Sequence, residues 1–453
     1  MIAVSLRTLS EALGAELIGQ DCTIDAVSTD TRQLASGCLF VALKGERFDA
    51  HDFIENAQQA GASAVLVERE MPYPIAQLVV KDTRLALGQL GAWLRTELAP
   101  FTLALTGSCG KTTVKEMTAS ILSEQANVLA TAGNFNNDIG VPLTLLRLTP
   151  QHKYAVIELG ANHLGEIDYT TRLVKPQVAL INNLAEAHLE GFGSMQGVAK
   201  AKGEIFHGLT ADGIAIVNRD SHDLTCWQKG LATHRVLTFS VNDTQADYYA
   251  TGISMDEAAI PSFNLHSPQG VIAVQLSIPG QHNIANALAA AALAQQAGAS
   301  LSEIRAGLMV KSDVKGRVHA ERLTDTLTVI DDTYNASVAA VKAAIDLLAN
   351  YQGQRVLVLG DMKELGNESA HLHQNVAEYA AEKHFDMILT YGVESRAISS
   401  ATGGHHFEHK QHLIHFLKDK LASMSTQSVT VLVKGGRSSQ MEEVVAALQE
   451  TVQ

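Results

Sequence analysis

Short apolar runs alternate with helical patterns along almost the whole chain. In the first 83 residues, strand-like runs at 39–43 and 64–68 lie on either side of a segment at 50–60 with helical periodicity. Strands that alternate with helices are typical of α/β units built on a parallel sheet. We therefore predict a small α/β domain over residues 1–83.

The central part of the chain repeats this rhythm over a longer stretch. Apolar runs alternate with helical segments, and an Ala-rich run predicts one more helix; the apolar runs are 101–105, 155–159, 178–182 and 214–218, and the Ala-rich run is 286–297. This pattern predicts a mostly parallel sheet with helices on both faces over residues 84–313. Residues 235–280 differ, because their period-two alternation predicts a β-rich insertion.

A third unit begins near residue 314. Strand-like runs alternate there with helical patterns; the strands are expected at 327–330, 355–359, 387–389 and 430–433, and the helices at 338–349 and 440–449. The rhythm predicts a third α/β domain over residues 314–453. Ligands in α/β proteins bind at the carboxyl ends of strands and in clefts between domains, so site residues are expected in those places.

Composition and charge limit the classes of function. A chain of 453 residues is too long for one core, and 46% hydrophobic with 18% charged residues is an ordinary globular composition. The chain has no apolar run of membrane-spanning length, no secretory signal at its start and no metal-type cysteine spacing, so we expect a cytoplasmic protein without membrane insertion. The net charge of −14 argues against nucleic-acid binding, and a monomer is the default expectation.

A glycine-rich segment at 105–113, Leu-Thr-Gly-Ser-Cys-Gly-Lys-Thr-Thr, links a predicted strand to a predicted helix. Such a junction points backbone N–H groups and the positive end of a helix at phosphate oxygens. Lys111 would reach the terminal phosphates, and the Thr112 hydroxyl would hold Mg²⁺. The match to the full phosphate-loop motif is partial, because position 105 carries Leu. A Gly-rich turn beside a surface lysine is the alternative, but Gly, Lys and Thr coincide at this junction and favour a nucleoside triphosphate site.

Polar residues follow the next two apolar runs. Glu158 lies at the end of one run, and His188 follows the other. If both strands neighbour the phosphate-loop strand, these side chains converge on the metal position of Thr112. Either residue alone would favour surface solvation, whereas their common placement favours a metal site. Lys202 lies on the next helical segment, where solvation is the default interpretation, as it is for Lys200.

Two further polar clusters allow two interpretations each. Residues 134–138 can cap a helix or bind a polar substrate, and the pattern does not choose between them. Asn283 can cap the Ala-rich helix, whereas His282 and Asn286 could contact a base by stacking and hydrogen bonding.

The third unit offers two residues at segment junctions. Arg317 could reach across a cleft and stabilise charge on a transferred phosphoryl group. Asp332 follows a predicted strand and could hold ribose hydroxyls.

Together these residues resemble the Mur ligase family, which forms amide bonds through ATP-driven acyl phosphates. The matching motifs are Thr106-Gly-x-x-Gly-Lys-Thr112, Glu158, Asn183-x-x-x-x-His188, Ala201-Lys-x-x-Ile-Phe206, Gly280-x-His-Asn-x-x-Asn286, Gly316-Arg317 and Asp332. The resemblance implies three α/β domains: an N-terminal UDP-sugar domain, a central ATP-binding domain and a C-terminal Rossmann-like domain.

Other motifs resemble the family members that add D-alanyl-D-alanine. They are Ser28-Thr-Asp-Thr-Arg32, Gly37-Cys-Leu-Phe-Val-Ala-Leu-Lys-Gly45, Phe48-Asp-Ala-His-Asp-Phe53, Gly133-Asn-x-Asn-Asn-Asp-Ile-Gly-Val-Pro142, Glu158-Leu-Gly-Ala-Asn162 and Gly360-Asp-Met-x-Glu-Leu-Gly366. The resemblance therefore implies an ATP-dependent ligase of peptidoglycan precursor synthesis, with UDP-N-acetylmuramoyl-tripeptide and D-alanyl-D-alanine as partners. Whether the third residue of the tripeptide is diaminopimelate or lysine stays open.

The resemblance also implies roles for single residues. The catalytic residues would be Lys111, His188, Lys202 and Arg317. The nucleotide-binding residues would be Gly107, Ser108, Cys109, Gly110, Lys111, Thr112, Thr113, His282, Asn283, Asn286, Arg317 and Asp332. Two Mg²⁺ ions would be held by Thr112, Glu158, His188 and Lys202, the last at a position carbamylated in relatives. The substrate-binding residues would be Ser28, Asp30, Arg32, Lys44, Gly45, Asp49, His51, Asn134, Asn137, Asn162, His163 and Asn335.

Three rival functions compete with this ligase. Another ligase of the same superfamily, such as a diaminopimelate- or lysine-adding enzyme or a folylpolyglutamate synthetase, is disfavoured by the Gly-Asp-Met-x-Glu-Leu-Gly and Gly-Ala-Asn motifs. A phosphate-loop NTPase acting as a switch would hydrolyse ATP without either substrate. A catalytically silent scaffold is disfavoured by the intact set Lys111, Thr112, Glu158 and His188.

Overall fold

The chain folds into three α/β parts, each built on its own sheet. The computed structural model describes residues 1–45, 48–185, 189–221, 224–310, 316–424 and 427–450. Within these ranges, the strands form sheets of five, nine and six strands and one two-stranded ribbon. The architecture confirms the predicted α/β fold with mostly parallel sheets.

The N-terminal part is a small sheet flanked by short helices. Its strands β4 to β7 run parallel, and β2 joins the edge of β7 in the antiparallel sense. The elements are β1 Val4–Ser5, α1 Leu6–Leu13, β2 Glu16–Ile18, β3 Thr23–Ile24, β4 Val27–Ser28, β5 Leu39–Val41, α2 Ile54–Gln59, β6 Ala64–Val67 and β7 Ala76–Val79. The predicted strands at 39–43 and 64–68 are confirmed, whereas the segment 50–60 opens with a 3-10 turn (Ala50–Phe53) before α2.

The central part is a nine-stranded sheet covered by helices on both faces. Its elements are α3 Thr83–Leu98, β8 Phe101–Thr106, α4 Lys111–Ser123, β9 Val128–Ala130, α5 Gly140–Leu145, β10 Tyr154–Glu158, α6 Glu166–Val174, β11 Val178–Ile181, α7 Leu189–Phe192, α8 Met195–Gly203, β12 Ile214–Asn218, α9 Gln228–Leu231, β13 Arg235–Ser240, β14 Tyr248–Met255, β15 Pro261–Ser267, β16 Gly270–Gln275, α10 His282–Gln296 and α11 Leu301–Met309. The strand order is β16-β15-β14-β13-β12-β11-β8-β10-β9, parallel from β9 to β14.

The core of this part explains why its strands read as continuous apolar runs. Along β8, Leu103 and Leu105 pack into the cluster with α4 and α10, while Ala104 faces the opposite cluster with α3, α5 and α6. A parallel strand buried on both faces needs apolar residues at every position. Almost every residue of the Ala-rich helix α10 is buried, so its small side chains allow close packing against the sheet.

The β-rich character predicted for residues 235–280 is confirmed, and the strands of this stretch belong to the central sheet. Strand β13 pairs in parallel with β12, and β14 to β16 continue the same sheet outwards as an antiparallel edge. The alternating pattern of β16 reflects burial on one face only at the sheet edge, where its residues alternate between more and less exposed positions.

The C-terminal part is a six-stranded sheet in the order β17-β18-β22-β19-β20-β21, parallel except for β17. Its elements are β17 His319–Arg322, β18 Leu327–Asp332, α12 Val338–Ala349, β19 Gln354–Gly360, α13 Ser369–Ala381, β20 Met387–Tyr391, α14 Arg396–Thr402, β21 His405–Phe407, α15 Lys410–Ser423, β22 Val429–Lys434 and α16 Glu442–Glu450. The four predicted strands and both predicted helices of this part are confirmed.

The three larger sheets occupy residues 16–79, 101–275 and 319–434. The predicted domain limits at 83/84 and 313/314 fall between these ranges, the second of them outside the described residues, and both limits stay predictions. Among the described helices, none combines the length and the apolar character needed to cross a membrane.

Candidate functional site

The order of the central strands brings the predicted site residues together at the carboxyl ends of neighbouring strands. Strand β8, which leads into the phosphate loop, lies between β10 and β11. In register, Glu158 of β10 pairs with Leu105, and Ile181 of β11 pairs with Thr106. The expectation that both strands neighbour the phosphate-loop strand is confirmed.

The phosphate loop turns directly into helix α4. Gly110 has φ 75°, a left-handed conformation that a residue with a side chain adopts only with strain. The first main-chain hydrogen bond of the helix runs from the Val114 N–H to the Gly110 carbonyl. The N–H groups of residues 110–113, Thr113 included, therefore have no acceptor among the described residues, which suits a phosphate.

Lys111 lies over this loop. Its Nζ donates a hydrogen bond to the Gly107 carbonyl at 2.9 Å. Burial lowers the pKa of the Lys111 amine, and the nearby Glu158 carboxylate acts in the opposite direction. A lysine held on the loop in this way can exchange its carbonyl partner for a phosphate oxygen, which is the stronger acceptor.

Glu158 is buried at the end of β10 with both carboxylate oxygens engaged. One oxygen accepts the Thr112 hydroxyl at 3.1 Å, and the other accepts the Asn136 amide at 2.8 Å. Glu158 is only 2% exposed, so its charge is concentrated beside the phosphate loop. The role of Asn136 was missed from sequence, although it lies in the polar run 134–138. His188, the other predicted metal ligand, lies outside the described residues.

Lys202 lies on helix α8 and is only 1% exposed, whereas Lys200 on the same helix is exposed. The Lys202 Nζ is 5.4 Å from the centre of the Phe192 ring and makes no hydrogen bond within the described part of the chain. Burial, followed by the charge of Lys111, lowers the pKa of Lys202 to about 7. The default of a solvated side chain is therefore wrong for Lys202, whose amine is half neutral near neutral pH.

Arg317 reaches the phosphate loop from the C-terminal part. Its guanidinium stacks 4.0 Å from the centre of the Tyr334 ring, and its Nη2 donates to the Thr112 hydroxyl at 3.3 Å. Its Nε is buried and finds no acceptor among the described residues. A buried donor without a partner beside a phosphate loop suits an anionic ligand.

The nearby Asp332 is buried at the end of β18 in an ion pair with Lys434, 2.6 Å from its Nζ. The other Asp332 oxygen accepts the Val318 N–H at 3.3 Å. Burial lowers the pKa of His282, and the charge of Asp332 opposes that shift. The predicted ribose contact of Asp332 stays a prediction.

Asn283 and Asn286 lie near the start of α10 and are buried, at 1% and 5% exposure. Their amide groups bond to other protein groups, and the Asn283 Nδ2 donates to the Pro279 carbonyl at 2.7 Å. Their predicted contact with a base stays a prediction.

Four of the predicted substrate residues line a cleft between the central and C-terminal parts. The cleft is lined by Lys111, Glu158 and Arg317 together with Asn134, Asn137, Asn162 and Asn335. His163 adjoins it in a smaller pocket beside Asn162 and Glu364, with its Nδ1 3.1 Å from Glu166. Asn137 also accepts the Gly140 N–H at 2.8 Å, so the helix-capping interpretation of the run 134–138 holds for this residue.

The N-terminal motif residues follow two neighbouring parallel strands, β4 and β5. The Ser28 hydroxyl accepts the Asp30 N–H at 3.2 Å, and Asp30 pairs with the exposed Arg32 at 2.7 Å. Hydrogen bonds from Arg32 lower the pKa of Asp30 to about 2. This arrangement places the ion pair of Asp30 and Arg32 just after β4, the edge strand of the small sheet.

After β5, Lys44 and Asp49 pair through their main chains around Gly45. Asp49 contacts the His51 Nδ1 at 2.5 Å, and the His51 Nε2 accepts the Glu68 N–H at 2.9 Å. His51 is fully buried, so in this structure it positions Asp49 and is not exposed to a ligand.

A glycine-rich loop whose N–H groups have no acceptor among the described residues, a lysine folded over it and a buried carboxylate bonded to its threonine define a phosphate-loop nucleotide-binding protein. Three family matches extend this class along the chain: the Mur ligase family, catalytic domain, at residues 23–91, the Mur ligase middle domain at 105–294, and the Mur ligase, glutamate ligase domain at 316–437. The chain belongs to the Mur ligase family.

Relatives agree over the full length. The chain is 54% identical over 451 residues to the UDP-N-acetylmuramoyl-tripeptide--D-alanyl-D-alanine ligase of Escherichia coli (strain K12), covering 99% of each chain. Its fold matches crystal structure I of MurF from Acinetobacter baumannii with a TM-score of 0.94 at 40% identity, covering 99% of both chains. It also matches the MurF ligase from Thermotoga maritima in complex with ADP, with a TM-score of 0.83 at 25% identity, covering 94% of this chain and 97% of that one.

Proposed function

We propose that this chain is an ATP-dependent ligase that joins D-alanyl-D-alanine to UDP-N-acetylmuramoyl-tripeptide in peptidoglycan precursor synthesis. The observation that carries the proposal is the meeting of Lys111, Glu158 and Arg317 around Thr112, at the edge of one cleft. The name and the full-length identity of the Escherichia coli relative support the choice of substrates.

The proposed reaction has two steps. The terminal carboxylate of the tripeptide attacks the γ-phosphorus of ATP, forming an acyl phosphate and releasing ADP. The amino group of the dipeptide then attacks the acyl carbon, and a tetrahedral intermediate collapses to the amide with loss of inorganic phosphate and a proton. The first step brings two anions together, and the second develops an oxyanion beside a phosphate group. Both therefore need fixed positive charge in a cleft that excludes water.

The chain's own residues supply that charge. The loop N–H groups and Lys111 would hold the β- and γ-phosphates, and Arg317 would approach the transferred phosphoryl group from the other domain. The unpaired Arg317 Nε is available for an additional phosphate oxygen. The N-terminal group around Arg32 and Asp49 would bind the UDP-sugar end.

The donor set fits Mg²⁺, because the Glu158 carboxylate and the Thr112 hydroxyl are oxygen ligands beside the phosphate loop. When bound, Mg²⁺ would neutralise phosphate charge there. Lys202 fits carbamylation, since CO₂ adds to a neutral amine and the Lys202 amine, with its pKa near 7, is buried without a hydrogen-bonding partner among the described residues. The resulting carbamate would supply two anionic oxygens close to Lys111.

A coupled ligation assay tests the proposal. Phosphate release should require both UDP-N-acetylmuramoyl-tripeptide and D-alanyl-D-alanine, and should match the amount of pentapeptide product. ATP hydrolysis that ignores both substrates would overturn the ligase proposal and favour a nucleotide-driven switch.

A further inference from the structure

The segment that follows β11 supports the phosphate loop through several hydrogen bonds. The Ser108 N–H donates to the Asn183 carbonyl at 3.0 Å, and the Ser108 hydroxyl donates to the Ala185 carbonyl at 3.1 Å. Asn183 also binds the Cys109 main chain on both sides, accepting its N–H at 2.8 Å and donating to its carbonyl at 3.0 Å. The loop is therefore fixed to the segment that follows β11.

The Cys109 carbonyl receives a second donor from a chain of buried asparagines. Asn182 Nδ2 donates to Cys109 O and to Asn286 Oδ1, both at 2.9 Å. Asn286 Nδ2 donates to Asn283 Oδ1 at 2.9 Å. This series of hydrogen bonds ends at Pro279, whose carbonyl accepts a hydrogen bond from the Asn283 Nδ2 at 2.7 Å.

The two carbonyl ends fix the direction of every amide in this chain. Because the Pro279 carbonyl can only accept, Asn283 must turn its NH₂ outwards and present its oxygen to Asn286. Asn286 then presents its oxygen to Asn182, whose Oδ1 is left without a partner among the described residues. Flipping Asn182 would place its oxygen against two other oxygens, so a single orientation survives.

The Cys109 carbonyl and the Gly110 N–H belong to one peptide plane and point in opposite directions, since the described chain contains no cis peptide bond. Drawing the carbonyl inwards therefore directs the Gly110 N–H outwards, away from the asparagines. Adding a side chain at Gly110 would bring its Cβ to 2.8 Å from the Asn182 Nδ2, so the loop lies close against this support.

We propose that Asn182 and Asn286 are positioning residues of the phosphate loop, which hold the Cys109 carbonyl inwards and so present the Gly110 N–H to the nucleotide phosphates. This inference depends on nucleotide binding as part of the proposed function, and it differs from a direct contact of Asn286 with the base. The two roles affect different parts of the ligand. A positioning role affects ligands with a β-phosphate, whereas a base contact affects adenosine as well.

The test compares the binding of ADP and adenosine to the full chain by calorimetry. Asn182→Ala and Asn286→Ala should each weaken ADP binding about tenfold, the typical effect of losing one well-made hydrogen bond and leaving its partner unsatisfied, while adenosine binding stays unchanged. The double variant should lose no more than about the larger single effect, because both residues belong to one chain of hydrogen bonds.

Gln295→Leu is the matched control. Gln295 is a buried amide on the same helix, and its side chain bonds to Tyr248 and Ser267, away from the loop. It should lower the melting temperature without changing either affinity.

Equal losses of adenosine and ADP affinity in Asn286→Ala, or unchanged ADP affinity in Asn182→Ala, would overturn the inference. If Asn182→Ala does not fold, Asn286→Ala alone decides, since it breaks the same chain further from the loop. Wild-type protein that binds ADP yet forms no pentapeptide would overturn the ligase proposal while leaving this test intact.

Discussion

Replacing Lys202 by methionine should stabilise the unliganded protein and abolish its ligase activity. Lys202 is 1% exposed, and its pKa falls from 10.5 to about 7 because its charged form is buried. Methionine keeps an unbranched, flexible chain that can occupy the space beside Phe192, and it carries no charge. The variant therefore removes the unfavourable free energy of burying a charged amine, which the native protein bears at its active site.

The size of that penalty follows from the two pKa values. Below pH 7 the lysine is protonated in both the folded and the unfolded chain. The free energy of folding then includes the whole cost of the lowered pKa, roughly 4 to 5 kcal/mol at about 1.36 kcal/mol per pKa unit. As the pH rises from 7 towards about 10.4, the folded protein releases this proton first, so the unfolded chain binds more protons and the penalty shrinks. By pH 9 it should be about 2 kcal/mol.

Thermal unfolding of both proteins in CO₂-free buffer between pH 6.5 and 9.5 measures the effect. Near pH 7 the melting temperature of the variant should be several degrees higher than that of the native protein. This difference in melting temperature, the gap, should narrow steadily towards pH 9.5. Lys200→Met is the matched control, since Lys200 is exposed on the same helix and its substitution should produce no such gap. A gap that does not change with pH, or a variant less stable than the native protein at pH 7, would refute the reasoning.

Other predictions test the site and the fold separately. Lys111→Ala should lose nearly all ligation activity while circular dichroism stays native, because among the described residues the Lys111 ammonium donates a hydrogen bond only to its own loop. Glu158→Gln should retain the contact with Asn136 and raise the Mg²⁺ concentration needed for half-maximal activity at least about tenfold, measured by metal titration. Asp332→Asn should leave the Lys434 ammonium buried without its counter-charge and destabilise the C-terminal part by about 3 to 5 kcal/mol in denaturant unfolding. Small-angle scattering should report a more compact particle once an ATP analogue and both substrates are present; an unchanged profile would argue against domain closure.

The elements of this fold follow closely from the apolar pattern, because a strand covered on both faces leaves a continuous apolar run. The phosphate loop was predicted from local chemistry, since its glycine and lysine lie within one turn of chain. The β-rich character of residues 235–280 was predicted, but their place at the edge of the central sheet was not, because a period-two pattern reports which face is buried and carries no information about which strand is the neighbour.

The site was less predictable where it depends on the orientation of a helix or on a distant contact. Lys200 and Lys202 lie on the same helix, and which of them is buried depends on how α8 packs on the sheet. Asn136 contacts Glu158 only because the loop before α5 folds back over β10. The pairing of Asn182 with Asn286 joins residues 104 positions apart, a distance that no local pattern reports.

Thr112 explains how nucleotide binding and domain closure can depend on each other. Its hydroxyl donates to Glu158 of the central part and accepts from Arg317 of the C-terminal part, so the two domains meet on one atom of the phosphate loop. At 3.3 Å the bond from Arg317 is long, and the buried Nε of the same guanidinium has no partner within the described chain. A phosphate oxygen is a stronger acceptor than a hydroxyl, so an arriving γ-phosphate would bind both nitrogens and hold the C-terminal part closed. An acyl phosphate formed there would be shielded from water for as long as that phosphate stays bound. Release of phosphate after amide formation would remove the contacts that hold the C-terminal part closed.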